Sequence, residues 1–148
     1  MLATSVADAY LETQVQTASP ERLHLMVVDA AIRFARQGAA AMAEQKFDVS
    51  YEALNRSRAC VNEMITGIRS EPNPELAEQL KGLFLYVHRN LVMADLRREP
   101  GLIADGLQIL EHHRQTWVEL TAKLREGQDE APCLPALDDE GSQRSWST

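Results

Sequence analysis

The sequence predicts an all-α protein: an antiparallel four-helix bundle with a short N-terminal arm or helix and a disordered C-terminal tail. Aromatic residues make up only 5% of the 148 residues, whereas Ala, Leu, Met, Gln, Glu and Arg are abundant, and this mixture favours helices over strands. No segment alternates apolar and polar residues at every second position, as a half-buried strand would. Instead, apolar residues recur at three- and four-residue steps in four segments with short links, which is typical of a helical bundle.

Local signals place the helix ends. The triplets Ser19-Pro20-Glu21 and Asn73-Pro74-Glu75 each combine a capping side chain, a proline suited to the first turn and an acid at the positive end of the helix dipole. Pro100 opens the last helix, and Gly127 is a natural stop. The residues after it are rich in acid, proline and serine, which is typical of disorder. The predicted helices span about residues 20–44, 47–69, 74–98 and 100–126 of a bundle at 19–127, with an arm at 1–18 and a tail at 128–148.

Composition and charge exclude several classes of function. The net charge is −7, so a partner with a phosphate backbone would be repelled, and we expect no nucleic-acid binding. No apolar run approaches the ~20 residues that span a bilayer, and the N-terminus lacks the features of a signal peptide. Cys60 and Cys133 do not suggest a disulfide framework. We therefore expect a cytoplasmic protein without membrane insertion.

The side chains that could carry chemistry do not form a recognisable site. A di-iron bundle needs two Glu-x-x-His motifs, and only Glu21 and His24 form one. His112 and His113 project about 100° apart on a helix and chelate poorly, so we interpret the histidines as surface or interface residues. In the segment "EQLKG", Glu78 stands where a histidine phosphotransfer domain has its phosphorylated histidine. We predict no enzyme activity, no metal and no cofactor.

Two of the predicted helices are apolar around too much of their circumference. In the helix at residues 20–44 the apolar arc covers about 220°, where a surface helix needs little more than about 100°. In the helix at residues 74–98, a second apolar stripe lies beside the obvious core positions. A bundle that buries wide arcs explains this pattern, and so does a groove that receives amphipathic helices from another chain. The sequence leaves both explanations open.

Three segments carry a resemblance to a known family. "AYLETQVQTASPERLHLMVVDAAIRF" resembles the opening of the flagellar secretion chaperones of the FliS family, with a tyrosine, Val-x-Thr-Ala-Ser-Pro and Leu-x-x-Met-x-x-Asp-x-Ala-Ile. "LFLYVHRNLVMADLRREP" and "ILEHHRQTWVEL" resemble two later segments, and the match runs in order from residue 9 to about 122. This sequence departs from the family at Val28, where a tyrosine is frequent, and at Ala30, where a glycine is frequent. The matching residues of the opening are Tyr10, Val15, Thr17, Ala18, Ser19, Pro20, Leu23, Met26, Asp29, Ala31 and Ile32.

The resemblance implies a cytoplasmic export chaperone for flagellin. Members of the family bind the C-terminal segment of flagellin, which is disordered in the monomer and helical in the filament, and the client wraps around the bundle in apolar grooves. Premature polymerisation is blocked, and the subunit stays competent for the flagellar type III secretion system. The resemblance also suggests the export gate or other flagellar regulators as partners. We expect a monomer or a weak dimer.

The surplus apolar residues are the predicted client contacts. We hypothesise that the N-terminal arm covers part of the groove in the empty chaperone. The main alternative is a self-associating helical scaffold, and a degenerate phosphotransfer-like bundle ranks below it. The candidate contact residues are Tyr10, Leu25, Val28, Ile32, Leu85, Val92, Leu96, Leu102, Ile109 and Leu120.

Overall fold

The computed structural model describes the backbone of residues 2–130 and the side chains of residues 6–13 and 18–127. No strand occurs within residues 2–130, so the predicted all-α class is confirmed. None of the helices in this range combines the length and the apolar character needed to cross a bilayer. The five helices are α1 (Leu2–Thr17), α2 (Pro20–Ala43), α3 (Phe47–Thr66), α4 (Pro74–Arg97) and α5 (Pro100–Glu130).

The predicted starts of α2 and α4 are confirmed by their caps. The backbone N–H of Arg22 donates to Ser19 Oγ at 3.2 Å, and the N–H of Leu76 donates to Asn73 Oδ1 at 3.1 Å. In each case a proline and an acidic residue follow within the first turn. The caps therefore satisfy N–H groups that the helix itself leaves without a partner.

Other helix ends differ from the prediction. The N-terminal segment, predicted to be an arm or a short helix, is a helix, and α3 ends at Thr66, three residues before the predicted limit. The last helix, predicted to end near Gly127, continues three residues farther to Glu130. A glycine inside a helix costs only about 1 kcal/mol and need not end it. The prediction of a disordered tail falls on residues 131–148, which lie outside the described residues.

The described residues fall into two compact units, one ending at Arg114 and the other beginning at Gln115. The first contains α1 to α4 and the first half of α5. The described part of the second is the remaining half of α5, in which Thr121 donates its hydroxyl hydrogen to the carbonyl oxygen of Trp117 at 2.9 Å. The predicted division into arm, bundle and tail stays a prediction.

Small residues let α2 and α3 pack closely. Ser57 Oγ donates to the carbonyl oxygen of Ala31 at 2.7 Å. Farther along α2, a Cβ atom added to Gly38 would lie 2.6 Å from Leu54 Cδ2, so only glycine fits beneath this leucine. Because the contacts pair rising numbers on α2 with falling numbers on α3, the two helices are antiparallel.

The later helices also alternate in direction. The Arg98 guanidinium lies 4.0 Å from the centre of the Phe47 ring, which joins the end of α4 to the start of α3. Val87 of α4 lies against Gly106 of α5, close enough for an added Cβ to meet Val87 Cγ1 at 3.5 Å. The core of the first unit is built from fully buried side chains of all four long helices, namely Val28, Leu54, Val61, Phe84, Val87, Leu91, Ile103 and Leu110.

Candidate partner-binding surface

An apolar row lies on the solvent side of α4. Leu85 and Leu96 are 48% and 75% exposed, and Val92 between them is half-buried. Their spacing of seven and four residues places them within about 40° of one another around the helix. The core positions Phe84 and Leu91 project to a different side and are buried. The second stripe predicted for this helix is therefore accessible, and its binding to a partner stays a prediction.

A polar cluster joins α4 to α3 beside this row. Arg58 Nη1 lies 3.5 Å from Asp95 Oδ2, and the two side chains are only 12% and 15% exposed. Arg58 Nη2 also donates to Asn55 Oδ1 at 3.2 Å, and its guanidinium stacks 5.7 Å from the centre of the Tyr51 ring. Burial, and then the positive charge of Arg58, lower the pKa of His88. The cluster fixes α4 against α3, and the charge of Arg58 adds to the effect of burial in disfavouring the protonated imidazole.

A hollow of about 370 Å³ lies between the end of α3 and the first turns of α4. Ile65, Ile68 and Ala77 supply apolar lining, and Glu78 and Lys81 lie at the same hollow. Lys81 is one turn before Leu85, so the hollow lies at the N-terminal end of the apolar row. It is large enough to receive an apolar side chain of a bound segment.

On its other side, α4 faces the first half of α5. Tyr86 is exposed, and Met93 is half-buried. The predicted contact residues Leu102 and Ile109 are half-buried and packed against the core. They already have partners within the fold, so only part of each side chain is available to another protein.

The structure corrects the prediction for α2. Val28 and Ile32 lie in the core, and Leu25 is half-buried. The physical reason is that α2 has two neighbours, because Ala31 contacts α3 and Asp29 contacts α5. A wide apolar arc on this helix therefore reflects a position inside the bundle. Val28 and Ile32 are not part of an accessible surface.

Two predicted contact residues belong to α1 and to the second half of α5. Tyr10 is exposed on α1, together with Val6 and Leu11. Leu120 is exposed on α5 in the second unit, and Leu124 one turn later is exposed as well. Both predicted residues are accessible, and their part in binding a client stays a prediction.

Sequence reasoning missed the polar contacts between α2 and α5. His24 Nε2 and His113 Nε2 are 2.8 Å apart, Arg114 Nε donates to Asp29 Oδ1, and Arg36 pairs with Glu111. These residues are separated by 75 to 89 positions, and no local pattern links positions so far apart.

The structure offers little reactive chemistry. Among the described side chains of residues 6–13 and 18–127, no three histidine, cysteine, aspartate or glutamate groups lie close enough together to hold a metal ion. Burial raises the pKa of the Cys60 thiol, and a thiol that stays protonated is a poor nucleophile. The feature that stands out is the apolar face of α4 rather than any reactive group.

A helical bundle with an unpartnered apolar helix face is typical of proteins that bind helices of another chain. Residues 3–124 match the family described as flagellar protein FliS, which confirms the resemblance seen in the sequence. The chain belongs to the FliS family of flagellar secretion chaperones. It is 26% identical over 109 residues to the flagellar secretion chaperone FliS of Bacillus subtilis (strain 168), covering 74% of this chain and 80% of that protein. It is 22% identical over 110 residues to the flagellar secretion chaperone FliS of Vibrio cholerae serotype O1, covering 74% and 81%.

Proposed function

We propose that this chaperone binds the C-terminal segment of flagellin in the cytoplasm, prevents its premature polymerisation and keeps it competent for export by the flagellar type III secretion system. The observation that carries the proposal is the accessible row of Leu85, Val92 and Leu96 on α4 in a chain of the FliS family. An apolar row three turns long suits a client segment that folds into a helix as it docks.

The proposed mechanism is coupled folding and binding. Burial of leucine side chains supplies the favourable free energy, about 25 cal/mol per Å² of apolar surface. Ordering the client opposes binding and keeps the net affinity moderate. Moderate affinity suits a chaperone, because the client must leave intact when export begins. In this proposal no bond is made or broken, so release needs only a competitor or removal of the client.

We propose a covering role for α1 in the empty chaperone. Val6, Tyr10 and Leu11 give this helix exposed apolar side chains, and it is joined to α2 through a link of only two residues, 18–19. A helix with this surface can compete with a client for an apolar groove. Deleting residues 1–17 should then raise client affinity, and an unchanged affinity would remove this role.

Filament assembly tests the proposed function. Purified flagellin is seeded to polymerise, and filament growth is followed by light scattering with increasing amounts of the chaperone. We expect growth to stop near equimolar chaperone, and the two proteins to co-elute in size exclusion. The Leu85→Ser/Leu96→Ser variant should lose both effects.

Leu76→Ser is the matched control. Leu76 lies on the same helix and is 49% exposed, but it precedes Leu85 by nine residues and so projects to the opposite side. This variant should inhibit assembly as the unmodified chain does. Unimpeded filament growth with the unmodified chain would overturn the proposal. A stable dimer that ignores flagellin would instead identify a self-associating scaffold.

A further inference from the structure

From Lys81 onward, α4 and its C-cap carry more basic than acidic residues, although the whole protein is acidic. Residues 81–98 contain four basic residues and one acidic residue, whereas the whole chain has a net charge of −7. The single acid, Asp95, is paired with Arg58. The charge of this segment is therefore opposite in sign to that of the whole chain, whereas the first turns of α4 contain the acidic residues Glu75 and Glu78.

Lys81 and Arg89 lie beside the apolar row. They precede and follow Leu85 by four residues each, so all three project to one side of α4. Both cations are exposed, and neither forms an ion pair or a ring contact with any described side chain. By contrast, the guanidinium groups of Arg36, Arg56 and Arg114 are paired with carboxylates.

We propose that this face selects an amphipathic client helix whose apolar row is bordered by acidic residues about two turns apart. Lys81 and Arg89 are eight residues apart, which corresponds to about 12 Å along the helix. A helix lying along α4 would place its leucine-sized side chains on Leu85, Val92 and Leu96. Carboxylates at either side of that row would then reach the two cations. This inference rests on the proposed function and adds an electrostatic criterion to it.

The two cations favour a client helix with acidic borders over a purely apolar client helix. A purely apolar client would gain nothing from two cations placed beside the row. Exposed ion pairs contribute little to affinity, but they steer association and favour one register over others. We therefore expect the association rate to depend on salt concentration, and the dissociation constant to change only modestly when either cation is removed.

The test measures binding of a peptide that covers the C-terminal segment of flagellin from the same organism, at a series of salt concentrations. Lys81→Gln and Arg89→Gln should each weaken binding about two- to fivefold at low salt. Their affinities should approach that of the unmodified chain near 1 M salt, where charges are screened within about 3 Å. Arg22→Gln is the matched control, since Arg22 is exposed, lies in the first turn of α2 and should leave binding unchanged.

A second arm replaces the acidic residues of the peptide, one at a time, with their amides. The amide that removes the partner of Arg89 should weaken binding to the unmodified chain but not to Arg89→Gln, as a double-mutant cycle requires. Binding that is equally strong and equally salt-dependent in Lys81→Gln, Arg89→Gln and Arg22→Gln would overturn this inference and leave the proposed function standing. Absence of any binding to the unmodified chain would overturn both, and a salt-sensitive dimer that Arg89→Gln dissolves would assign the face to a second copy.

Discussion

His24 on α2 and His113 on α5 face each other with their Nε2 atoms 2.8 Å apart and their rings at right angles. One nitrogen must donate and the other accept, so at least one of the two imidazoles is neutral. Burial lowers the pKa of His24. Burial, and then the charges of His24 and His112, lower the pKa of His113 from 6.5 to about 4. The ring of Phe84 packs edge-on against His113 at 4.9 Å.

We expect this pair to make the free energy of unfolding depend on pH. The folded chain holds His113 neutral, whereas the unfolded chain protonates it below pH 6.5, so acid favours the unfolded state. The contribution is fully present above pH 6.5 and is lost as the pH falls toward 4. Between pH 7 and 5 the loss from His113 should be about 2 kcal/mol, and denaturant unfolding at each pH measures it.

Two variants isolate the pair. His113→Gln should flatten the pH dependence between pH 7 and 5, because the group that gains a proton on unfolding is gone. His112→Gln should keep most of it, since His112 is exposed and contributes only through its charge. Equal slopes in the unmodified chain and in His113→Gln would contradict the assignment.

Two buried serines on α3 should respond in opposite ways to the loss of their hydroxyl groups. Ser57 donates to the carbonyl oxygen of Ala31, so Ser57→Ala should lower the free energy of unfolding by about 1 kcal/mol. Ser50 is equally buried, but its Oγ has no hydrogen-bond partner among the described residues. Ser50→Ala should be neutral or stabilising, because an unsatisfied hydroxyl is costly to bury. Chemical denaturation of both variants measures the difference, and a larger cost for Ser50→Ala would contradict it.

Replacing either of two helical glycines with alanine should also have opposite effects on stability. Gly38→Ala would push a Cβ atom to 2.6 Å from Leu54 Cδ2, and Leu54 is fully buried. We expect a loss of about 1–3 kcal/mol, because the surrounding core has no room for the displaced side chain. Gly82→Ala meets no atom within 4 Å and should stabilise α4 by about 0.5–1 kcal/mol. Thermal unfolding ranks the two, and a Gly38→Ala variant as stable as the unmodified chain would show that α2 and α3 pack less closely than described.

The sequence predicted those features that depend on neighbouring residues. The caps at Ser19 and Asn73 were predictable because a helix start is decided within four residues. The accessible row on α4 was predictable from its own three- and four-residue spacing. Periodicity shows that a residue is apolar, but it does not show which helix covers it. The prediction therefore placed Val28 and Ile32 on an accessible surface, whereas both are buried in the core.

For the same reason, the contacts between α2 and α5 could not be predicted from the sequence. Asp29 and Arg114 both belong to segments that resemble the FliS family, yet nothing in either segment says that they touch. Their pairing follows from the path of the whole chain, which brings residues 85 positions apart together. The histidine pair was unpredictable in the same sense, since each imidazole alone is compatible with a solvated position.

The central claim is that the apolar row on α4 is the docking site for a helix of the client. The most direct test is calorimetry with the flagellin C-terminal segment at several temperatures, comparing the unmodified chain with Leu85→Ser/Leu96→Ser and Leu76→Ser. We predict a negative heat-capacity change of binding for the unmodified chain and for Leu76→Ser. The double variant should bind at least about tenfold more weakly, since each leucine contributes about 1.5–3 kcal/mol when fully buried. Equal affinities and equal heat-capacity changes in all three proteins would contradict the claim.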